Sequence, residues 1–175
     1  MFFNNKKAFL STKAFTLIEL IIVIVILGVL AALISGNFIT SLKKGRDARR
    51  KGDLEQIQRA LEMRYEDKKN YPDFALSYGN KLCETQSAAT CGTEKVYMQK
   101  IPNDPINGRN YEYQYDDTAK GYRLYACLEN NLQILPYSSL TGTQTISCST
   151  TCSNNETPPV SKPCFWGISS SNVSP

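Results

Sequence analysis

One acidic residue, Glu19, lies inside an otherwise apolar stretch that runs from Phe15 to Ile34. As a helix with a rise of about 1.5 Å per residue, this stretch spans roughly 30 Å, which is just long enough to cross a bilayer. A carboxylate near the end of a membrane helix costs about 3 kcal/mol on insertion scales, so its presence requires a partner or a purpose. The chemistry open to it is neutralisation of a positively charged group, which would turn two costly buried charges into one pair. An ordinary signal peptide carries no such acid.

The residues around Glu19 form a specific pattern. Residues 14–20 read Ala-Phe-Thr-Leu-Ile-Glu-Leu, follow a segment that bears three lysines, and precede a run of Ile, Val and Leu. The pattern resembles the class III signal of type IV prepilins and type II secretion pseudopilins, although Ala14 stands where such leaders usually end in Gly. The resemblance implies cleavage between Ala14 and Phe15, N-methylation of Phe15, and neutralisation of a neighbouring subunit's N-terminal amine by Glu19. It also implies three partners, which are an aspartic prepilin peptidase, an inner-membrane platform protein and, indirectly, a cytoplasmic assembly ATPase.

The order of the N-terminal segments distinguishes this signal from a secretory one. A secretory signal peptide is cleaved after its apolar run, whereas Ala14 precedes the run, so cleavage there keeps the helix in the mature protein. An uncleaved signal anchor remains the alternative, but it explains neither Glu19 nor the residue order. The positive-inside rule would place the cations of residues 43–51 in the cytoplasm. The cysteines favour the opposite orientation, and we therefore expect a single-pass membrane protein whose C-terminal domain is extracytoplasmic, in a periplasmic or cell-surface filament.

All six cysteines lie beyond residue 80, and the chain contains no histidine. This cysteine content predicts disulfides in an oxidising compartment, and the eight-residue spacing of Cys83 and Cys91 suits a local loop. Zinc ligation by thiolates is the less favoured alternative. The absence of histidine removes the commonest general base and the commonest metal ligand, so the sequence predicts a protein that is not an enzyme and has no cofactor. The other cysteines expected in disulfides, with no connectivity assigned, are Cys127, Cys148, Cys152 and Cys164.

Helical spacing of apolar residues continues past the apolar run and predicts one helix of about 50 residues that ends near Asp67. Alternating residues in 111–115 and 122–128 predict a β-hairpin, with a third strand near residues 132–137. A fragment beginning near Leu54 is expected to fold alone. The expected divisions are a leader (1–14), a membrane and filament-core helix (15–36), its amphipathic continuation (37–67), a globular domain with the hairpin (68–137) and a Cys-containing tail rich in Ser, Thr and Pro (138–175).

A second resemblance lies in the middle of the chain. Residues 101–105 read Ile-Pro-Asn-Asp-Pro, and Gly108 and a Tyr-x-Tyr sequence at 111–113 follow them. This order is similar to that of major pseudopilins, and together with the N-terminal signal it covers residues 6 to 130. The resemblance implies an α+β, pilin-like fold, in which a long N-terminal membrane-spanning helix packs on a small antiparallel sheet and a disulfide-containing extension follows. It implies a structural subunit of a secretion pseudopilus or a pilus-like filament, with a minor or tip pilin, or a membrane-anchored binding module for adhesion or DNA uptake, as the alternative.

The cations between Lys43 and Lys51 repel one another within one helix, because Arg46, Arg49 and Arg50 recur at spacings of three and four. We therefore expect them to meet acids of another subunit in a self-associating filament. A solvated face and anionic lipid or nucleic acid remain alternatives, and nucleic acid is less favoured because no aromatic residues interleave the cations. The expected acidic partners are Glu55, Glu62, Glu66 or Asp67.

Three aspartates, Asp104, Asp116 and Asp117, are candidate calcium ligands, since carboxylate oxygens are the ligands that Ca²⁺ prefers. Some major pseudopilins bind calcium, so the resemblance keeps this reading open. All three residues lie at ordinary turn positions, however, and a turn role is the favoured interpretation.

Overall fold

The computed structural model describes residues 15–133, 135, 144–153 and 161–175, so the expected leader lies outside the described residues. The chain divides into two compact units, one ending at Ile39 and the other comprising Thr40–Pro175. Helix α1 (Leu17–Lys68) contributes residues to both units and is 52 residues long. Its end lies one residue from the predicted one. Lys69 follows with a left-handed φ of 57°, its N–H donates to the Tyr65 carbonyl at 2.7 Å, and Pro72 prevents further extension.

The first unit consists of the apolar part of α1. Residues Leu17–Ile34 have a mean hydropathy of 3.2 and none is buried within the chain, and this is the one span in the described residues that is long and apolar enough to cross a membrane. The side chains of Ile24 and Leu30 are 59% and 50% exposed. At about 25 cal/mol per Å² of apolar surface, such exposure to water is strongly unfavourable, so this segment requires lipid or other helices around it.

The second unit contains eight short strands among its described residues. The structure forms two three-stranded antiparallel sheets, with orders β2-β1-β3 and β4-β5-β8, and one two-stranded ribbon, β6-β7. The strands are β1 (Lys81–Cys83), β2 (Ser87–Ala88), β3 (Val96–Met98), β4 (Glu112–Asp116), β5 (Gly121–Cys127), β6 (Thr151–Ser153), β7 (Ser161–Pro163) and β8 (Phe165–Ser169).

The predicted hairpin is present as β4 and β5, with Tyr113 opposite Leu124. The third strand of its sheet is not where the sequence placed it. The described residues near the predicted position, Leu132, Gln133 and Leu135, are in turns or irregular structure, and residues 134, 136 and 137 lie outside the described residues. The third strand is instead β8, which comes from the tail and pairs with β5 along five residues. The aromatic residues Phe165 and Trp166 give this segment the composition of a strand, and it runs antiparallel to β5 from Phe165 opposite Cys127 to Ser169 opposite Arg123.

In the core of the second unit, the C-terminal half of α1 packs against the sheet that contains the hairpin. Leu54, Ile57 and Leu61 are fully buried, as are Tyr122 and Leu124 on β5. Burial of each such side chain stabilises the fold by about 2 kcal/mol relative to exposure. Two tyrosines of this core donate their hydroxyl groups to one acid of α1. Glu62 accepts hydrogen bonds from Tyr71 Oη (2.8 Å) and Tyr122 Oη (3.0 Å).

Three disulfides account for all six cysteines: Cys83–Cys91, Cys127–Cys148 and Cys152–Cys164. The first closes the local loop that the eight-residue spacing suggests. The second ties the end of β5 to the tail, and the third joins β6 to the residue that precedes β8. Each closes a loop of 8 to 21 residues and, by restricting the unfolded chain, contributes about 3 kcal/mol. The disulfides thus hold the tail against the sheet that it completes.

Candidate functional site

The first turn of α1 holds Glu19 in a capping box with Thr16. The Thr16 N–H and hydroxyl both donate to Glu19 Oε2, at 2.8 Å and 2.7 Å, and the Glu19 N–H donates to the Thr16 hydroxyl at 3.3 Å. Thr16 is therefore the N-cap and Glu19 the third helical residue, and each satisfies a backbone N–H that the helix leaves unpaired. The carboxylate also lies at the positive end of the helix dipole. Sequence reasoning overlooked this role, although the Thr-x-x-Glu spacing before an apolar run is its signature.

The capping box leaves part of the carboxylate accessible. Both bonds from Thr16 go to Oε2, and within the part of the chain that the structure describes no hydrogen bond uses Glu19 Oε1. The neighbouring Phe15 is 88% exposed. The arrangement can hold one carboxylate in a fixed orientation at the helix start while a second oxygen accepts from another donor. The expected pairing of Glu19 with the Phe15 amine of a neighbour stays a prediction.

A second polar site lies around Arg50, whose side chain is fully buried. Its guanidinium binds Asp104 through two parallel hydrogen bonds, Nε to Oδ2 at 2.6 Å and Nη2 to Oδ1 at 2.9 Å. Nη1 contacts Asp47 Oδ1 at 2.8 Å and Glu129 Oε1 at 2.7 Å. Burial alone would lower the pKa of Arg50, but the hydrogen bonds to Asp104 and Glu129 outweigh it and raise that pKa above its ordinary value. One cation thereby joins α1 to two distant loops.

The carboxylates of this cluster have further donors. Asp47, also fully buried, accepts from the backbone N–H groups of Glu129 (2.9 Å) and Asn130 (2.9 Å) and from Gln133 Nε2 (2.9 Å). Arg46 binds Glu129 with two bonds, from Nε at 2.9 Å and from Nη2 at 2.6 Å. No carboxylate in the cluster is left without a cation or several N–H donors, which is what a buried ion group requires.

The electrostatic consequence is clearest at Glu129. The hydrogen bonds from Arg46, opposed by burial and helped by Arg50, lower the pKa of Glu129 to about 2 from an ordinary value of 4.5. Because the pKa is depressed in the folded state, this carboxylate stabilises the fold above about pH 4.5. The contribution, on the order of 3 kcal/mol, is lost as the pH falls towards 2.

These contacts correct the expectation for the basic cluster. Arg46 and Arg50 meet acids of their own chain rather than those of another subunit; Arg50 is fully buried and Arg46 is partly exposed. The reason is helical geometry: the two lie four residues apart, on the same side of α1 as the buried Leu54. Arg49 differs, since its side chain is 66% exposed and lies 3.9 Å from Asp53.

Three of the four acids expected to bind these arginines have partners within their own chain. Glu62 accepts from the two tyrosines of the core, and Asp67 is bound by Lys95. Glu66 forms an exposed pair with Lys69 at 3.1 Å. Glu55 is exposed and has no ion pair among the described residues.

The three candidate calcium aspartates are not brought together. Asp104 is bound by Arg50, and its Oδ1 also accepts the N–H of Ile106. Asp116 accepts the N–H groups of the hairpin turn and pairs with Arg123 at 2.8 Å, and Asp117 pairs with Lys120. In the described ranges no group of three or more His, Cys, Asp or Glu side chains could hold a metal ion. The structure therefore does not bring these three residues together, and the turn roles explain Asp116 and Asp117.

Comparison with known families gives two matches along the chain. Residues 11–35 match the prokaryotic N-terminal methylation motif, and residues 37–131 match type II secretion system protein G. The second match ends at residue 131. It therefore leaves out strand β8 and both cysteines of the Cys152–Cys164 disulfide.

Individual relatives are named either as core protein G or as a type IV pilin. The chain is 32% identical over 116 residues to type II secretion system core protein G of Pseudomonas aeruginosa, which covers 65% of the chain and 81% of that protein. It is 34% identical over 103 residues to core protein G of Klebsiella pneumoniae (57% and 72%). It is also 37% identical over 108 residues to the type IV major pilin protein PilA of Myxococcus xanthus (53% and 49%). No solved structure matches the chain.

The buried guanidinium gives the first prediction. Arg50→Met should destabilise the second unit by about 3–5 kcal/mol, because it leaves Asp104 buried without a cation. Arg49→Met is the matched control, one residue away and exposed, and should change stability by about 0.5 kcal/mol or less. Arg50→Lys keeps the charge without the two-bond geometry and should be intermediate. Urea unfolding followed by circular dichroism measures all three, and equal midpoints for Arg50→Met and Arg49→Met would contradict the assignment.

The cluster also fixes where a soluble fragment must begin. The compact unit starts at Thr40, so a fragment beginning near Leu54 lacks Arg46, Asp47 and Arg50. We expect residues 40–175 to unfold cooperatively, and residues 54–175 to lose most of that stability because Asp104 and Glu129 are then unpaired. Circular dichroism and thermal unfolding of the two purified fragments test this, and equal stability would show that the cluster contributes little.

Proposed function

This chain belongs to the type II secretion system protein G family, and we propose that it is a structural subunit of a secretion pseudopilus. The observation that carries the proposal is the segment Leu17–Ile34 of α1, which is strongly apolar yet has no buried side chain within the chain. A segment of this kind must be enclosed either by lipid or by the equivalent helices of other copies. The subunit therefore has two environments, the membrane before assembly and the filament core after it.

The physical basis of assembly is an exchange between these two environments. Lipid tails and neighbouring apolar helices are similarly apolar, so transfer from one to the other is decided by helix packing and by polar contacts. A subunit contacts the next one through different surfaces on each partner, and such head-to-tail contacts build a helical filament instead of closing into a ring. The disulfides of the second unit are consistent with an extracytoplasmic domain attached to a single membrane-spanning helix.

Processing precedes assembly in this proposal. A prepilin peptidase cleaves between Ala14 and Phe15, and the new amine of Phe15 is methylated. The match of residues 11–35 to the N-terminal methylation motif supports this step. An inner-membrane platform protein and, through it, a cytoplasmic ATPase are the further partners that the family implies. No step assigns catalysis to this chain, whose relatives are named as secretion core proteins or a pilin.

The capping box suggests how Glu19 takes part. Oε2 stays bonded to Thr16 and fixes the direction of the carboxylate, while Oε1 accepts a hydrogen bond from the methylated Phe15 amine of a neighbouring copy. Each subunit then carries one negative and one positive group into the apolar core as a pair, and neither charge is left alone there. Thr16 acts as the positioning residue, since its two bonds hold the carboxylate that makes the pair.

A type IV pilus-like filament is the second candidate, favoured by the identity to PilA of Myxococcus xanthus over 49% of that protein. Both candidates share the processing and assembly steps. A tip subunit that uses its tail for binding is less supported, because β8 of the tail is paired along β5 as part of the domain. Genes adjacent to this one separate the candidates, since secretion genes and pilus retraction genes accompany different machines.

The processing step predicts a defined N-terminus. Filament or membrane material from cells that also express a prepilin peptidase should contain a chain that begins at Phe15 and carries one methyl group. Intact mass measurement and N-terminal peptide sequencing test both points. Co-expression with an inactive peptidase is the control and should leave residues 1–14 attached. A start at any other residue would contradict the proposed cleavage site.

Variants of Glu19 separate the capping role from the pairing role. Glu19→Gln keeps an oxygen acceptor for Thr16 but removes the charge, whereas Glu19→Ala removes both. If pairing drives assembly, Glu19→Gln should reduce filament yield about as strongly as Glu19→Ala, at unchanged membrane insertion and cleavage. Thr16→Ser is the matched control and should assemble normally, because it keeps the hydroxyl. Normal filament yield from Glu19→Gln would show that the charge is dispensable and that capping is the main role.

A further inference from the structure

Two adjacent lysines, Lys43 and Lys44, directly follow the apolar part of α1. Both are exposed, and the apolar side chains of Ile39 and Leu42 just before them are exposed as well. Between Glu19 and Lys43 the sequence contains no charged residue. The two lysines therefore stand where the surface of the helix changes from apolar to charged.

The length of α1 places these lysines at the depth of lipid headgroups. A carboxylate favours the membrane surface over the hydrocarbon core, so Glu19 marks one boundary of the span. The 20 residues from Leu20 to Ile39 measure about 30 Å, which is the thickness of the hydrocarbon core. Lys43 and Lys44 lie about 6–8 Å further along the axis, and the headgroup region is itself about 5–8 Å thick on each side.

The charges of Lys43 and Lys44 are not compensated within the described part of the chain, where neither side chain forms a hydrogen bond or an ion pair. The three carboxylates nearby are already matched by three other cations. These carboxylates are Asp47, Asp104 and Glu129, and the cations around them are Arg46, Arg50 and Lys51. Folding therefore leaves two positive charges side by side at the depth of the headgroups.

The inference rests on the membrane-spanning stage of the proposed function. We propose that Lys43 and Lys44 form a binding site for the headgroups of anionic phospholipids in the extracytoplasmic leaflet. The positive-inside rule disfavours cations on this side of the membrane, and lipid phosphates supply the counter-charge that the chain lacks. Each ammonium group has three N–H donors for phosphate oxygens, on a flexible stem that reaches the membrane surface. Contact with both lysines fixes the depth of α1 in the bilayer before assembly.

A second copy of α1 in the same membrane does not supply the missing negative charge. Parallel copies inserted to the same depth bring Lys43 and Lys44 of one copy beside the same residues of the other, and like charges repel. The first exposed acid of α1 beyond the lysines is Glu55, about 16 Å past Lys44 along the axis. This distance exceeds the Debye length of about 8 Å at physiological ionic strength. A lipid phosphate, by contrast, lies at the depth of the lysines.

Spin-labelled lipids test the site in a bilayer. The full chain is reconstituted into vesicles of three parts phosphatidylcholine to one part phosphatidylglycerol. Electron spin resonance then gives the preference of the protein for spin-labelled phosphatidylglycerol over spin-labelled phosphatidylcholine. Lys43→Gln/Lys44→Gln should lower this preference about twofold or more, because it removes both charges at headgroup depth. The lysines before residue 15 also attract anionic lipid, but they are the same in every variant.

A cation further along the helix provides the matched control. Arg59 is exposed and lies about 30 Å beyond Ile39, outside the headgroup region. Arg59→Gln should leave the lipid preference unchanged, whereas Lys44→Gln, which also removes one charge, should lower it. Lys43→Arg/Lys44→Arg keeps both charges and should retain the preference. About 0.5 M sodium chloride should reduce the difference between the wild type and the double Gln variant, since exposed charges are screened.

The outcomes separate this inference from loss of folding and from the proposed function. Both lysines are exposed, so thermal unfolding of the double Gln variant should match that of the wild type. If alkaline carbonate releases the wild-type chain from membranes, the membrane-spanning stage of the proposed function fails. If the chain stays inserted but shows no preference for phosphatidylglycerol, only the lipid site fails.

Three further results would overturn the lipid site. The first is an unchanged preference in the double Gln variant, and the second is an equal fall in Arg59→Gln. The third is a double Gln variant that keeps its lipid preference but loses filament yield or binding to a double-stranded DNA probe. The lysines would then contact another copy of the chain or nucleic acid in place of lipid.

Discussion

The buried guanidinium of Arg50 is the contact on which the architecture of the second unit depends. A charged group without solvent is costly unless it is fully paired, and here Asp47, Asp104 and Glu129 surround it. Asp104 lies before β4 and Glu129 lies just after β5. One side chain of α1 therefore fixes the chain on both sides of the hairpin, so that the sheet can present Tyr122 and Leu124 to Leu54 and Ile57 of the helix. The apolar core and the ion cluster determine the same placement, which is a mark of a well-specified fold.

The two halves of helix α1 have different surroundings, and so do the two faces of its second half. Its first half has apolar side chains all round, which suits a segment enclosed by lipid or by other helices. Its second half has a buried face and an exposed face, and the charges on the two behave differently. Arg46 and Arg50 are matched by acids of the same chain, whereas Lys44 and Glu55 on the exposed face form no ion pair among the described residues. Folding thereby pairs the charges on the buried face and leaves those on the other face exposed.

Local patterns made much of this structure predictable. The end of α1 followed from Lys68, Lys69 and Pro72, and the hairpin from alternation and turn residues, because each depends on neighbours in sequence. The predictions that were wrong concern pairs of residues that are far apart in the sequence. Asp104 lies 54 residues from its partner Arg50, and Glu129 lies 83 residues from its partner Arg46. The periodicity of a sequence carries no information on such distant pairs. The capping box, by contrast, is local and readable in Thr16-Leu17-Ile18-Glu19, because the Thr-x-x-Glu spacing comes directly before the apolar run.

The tail explains why the third strand was misplaced and what it contributes. The family match ends at residue 131, yet β8 begins at Phe165 and pairs with residues 123–127 of β5. Without β8, this side of β5 would present unpaired N–H and C=O groups, and free strand edges recruit other strands. A filament holds many copies of the domain close together, so an open edge would offer a competing mode of association. The disulfides Cys127–Cys148 and Cys152–Cys164 keep β8 attached to its own domain. Pairing of the β5 edge within the chain removes this competing mode of association.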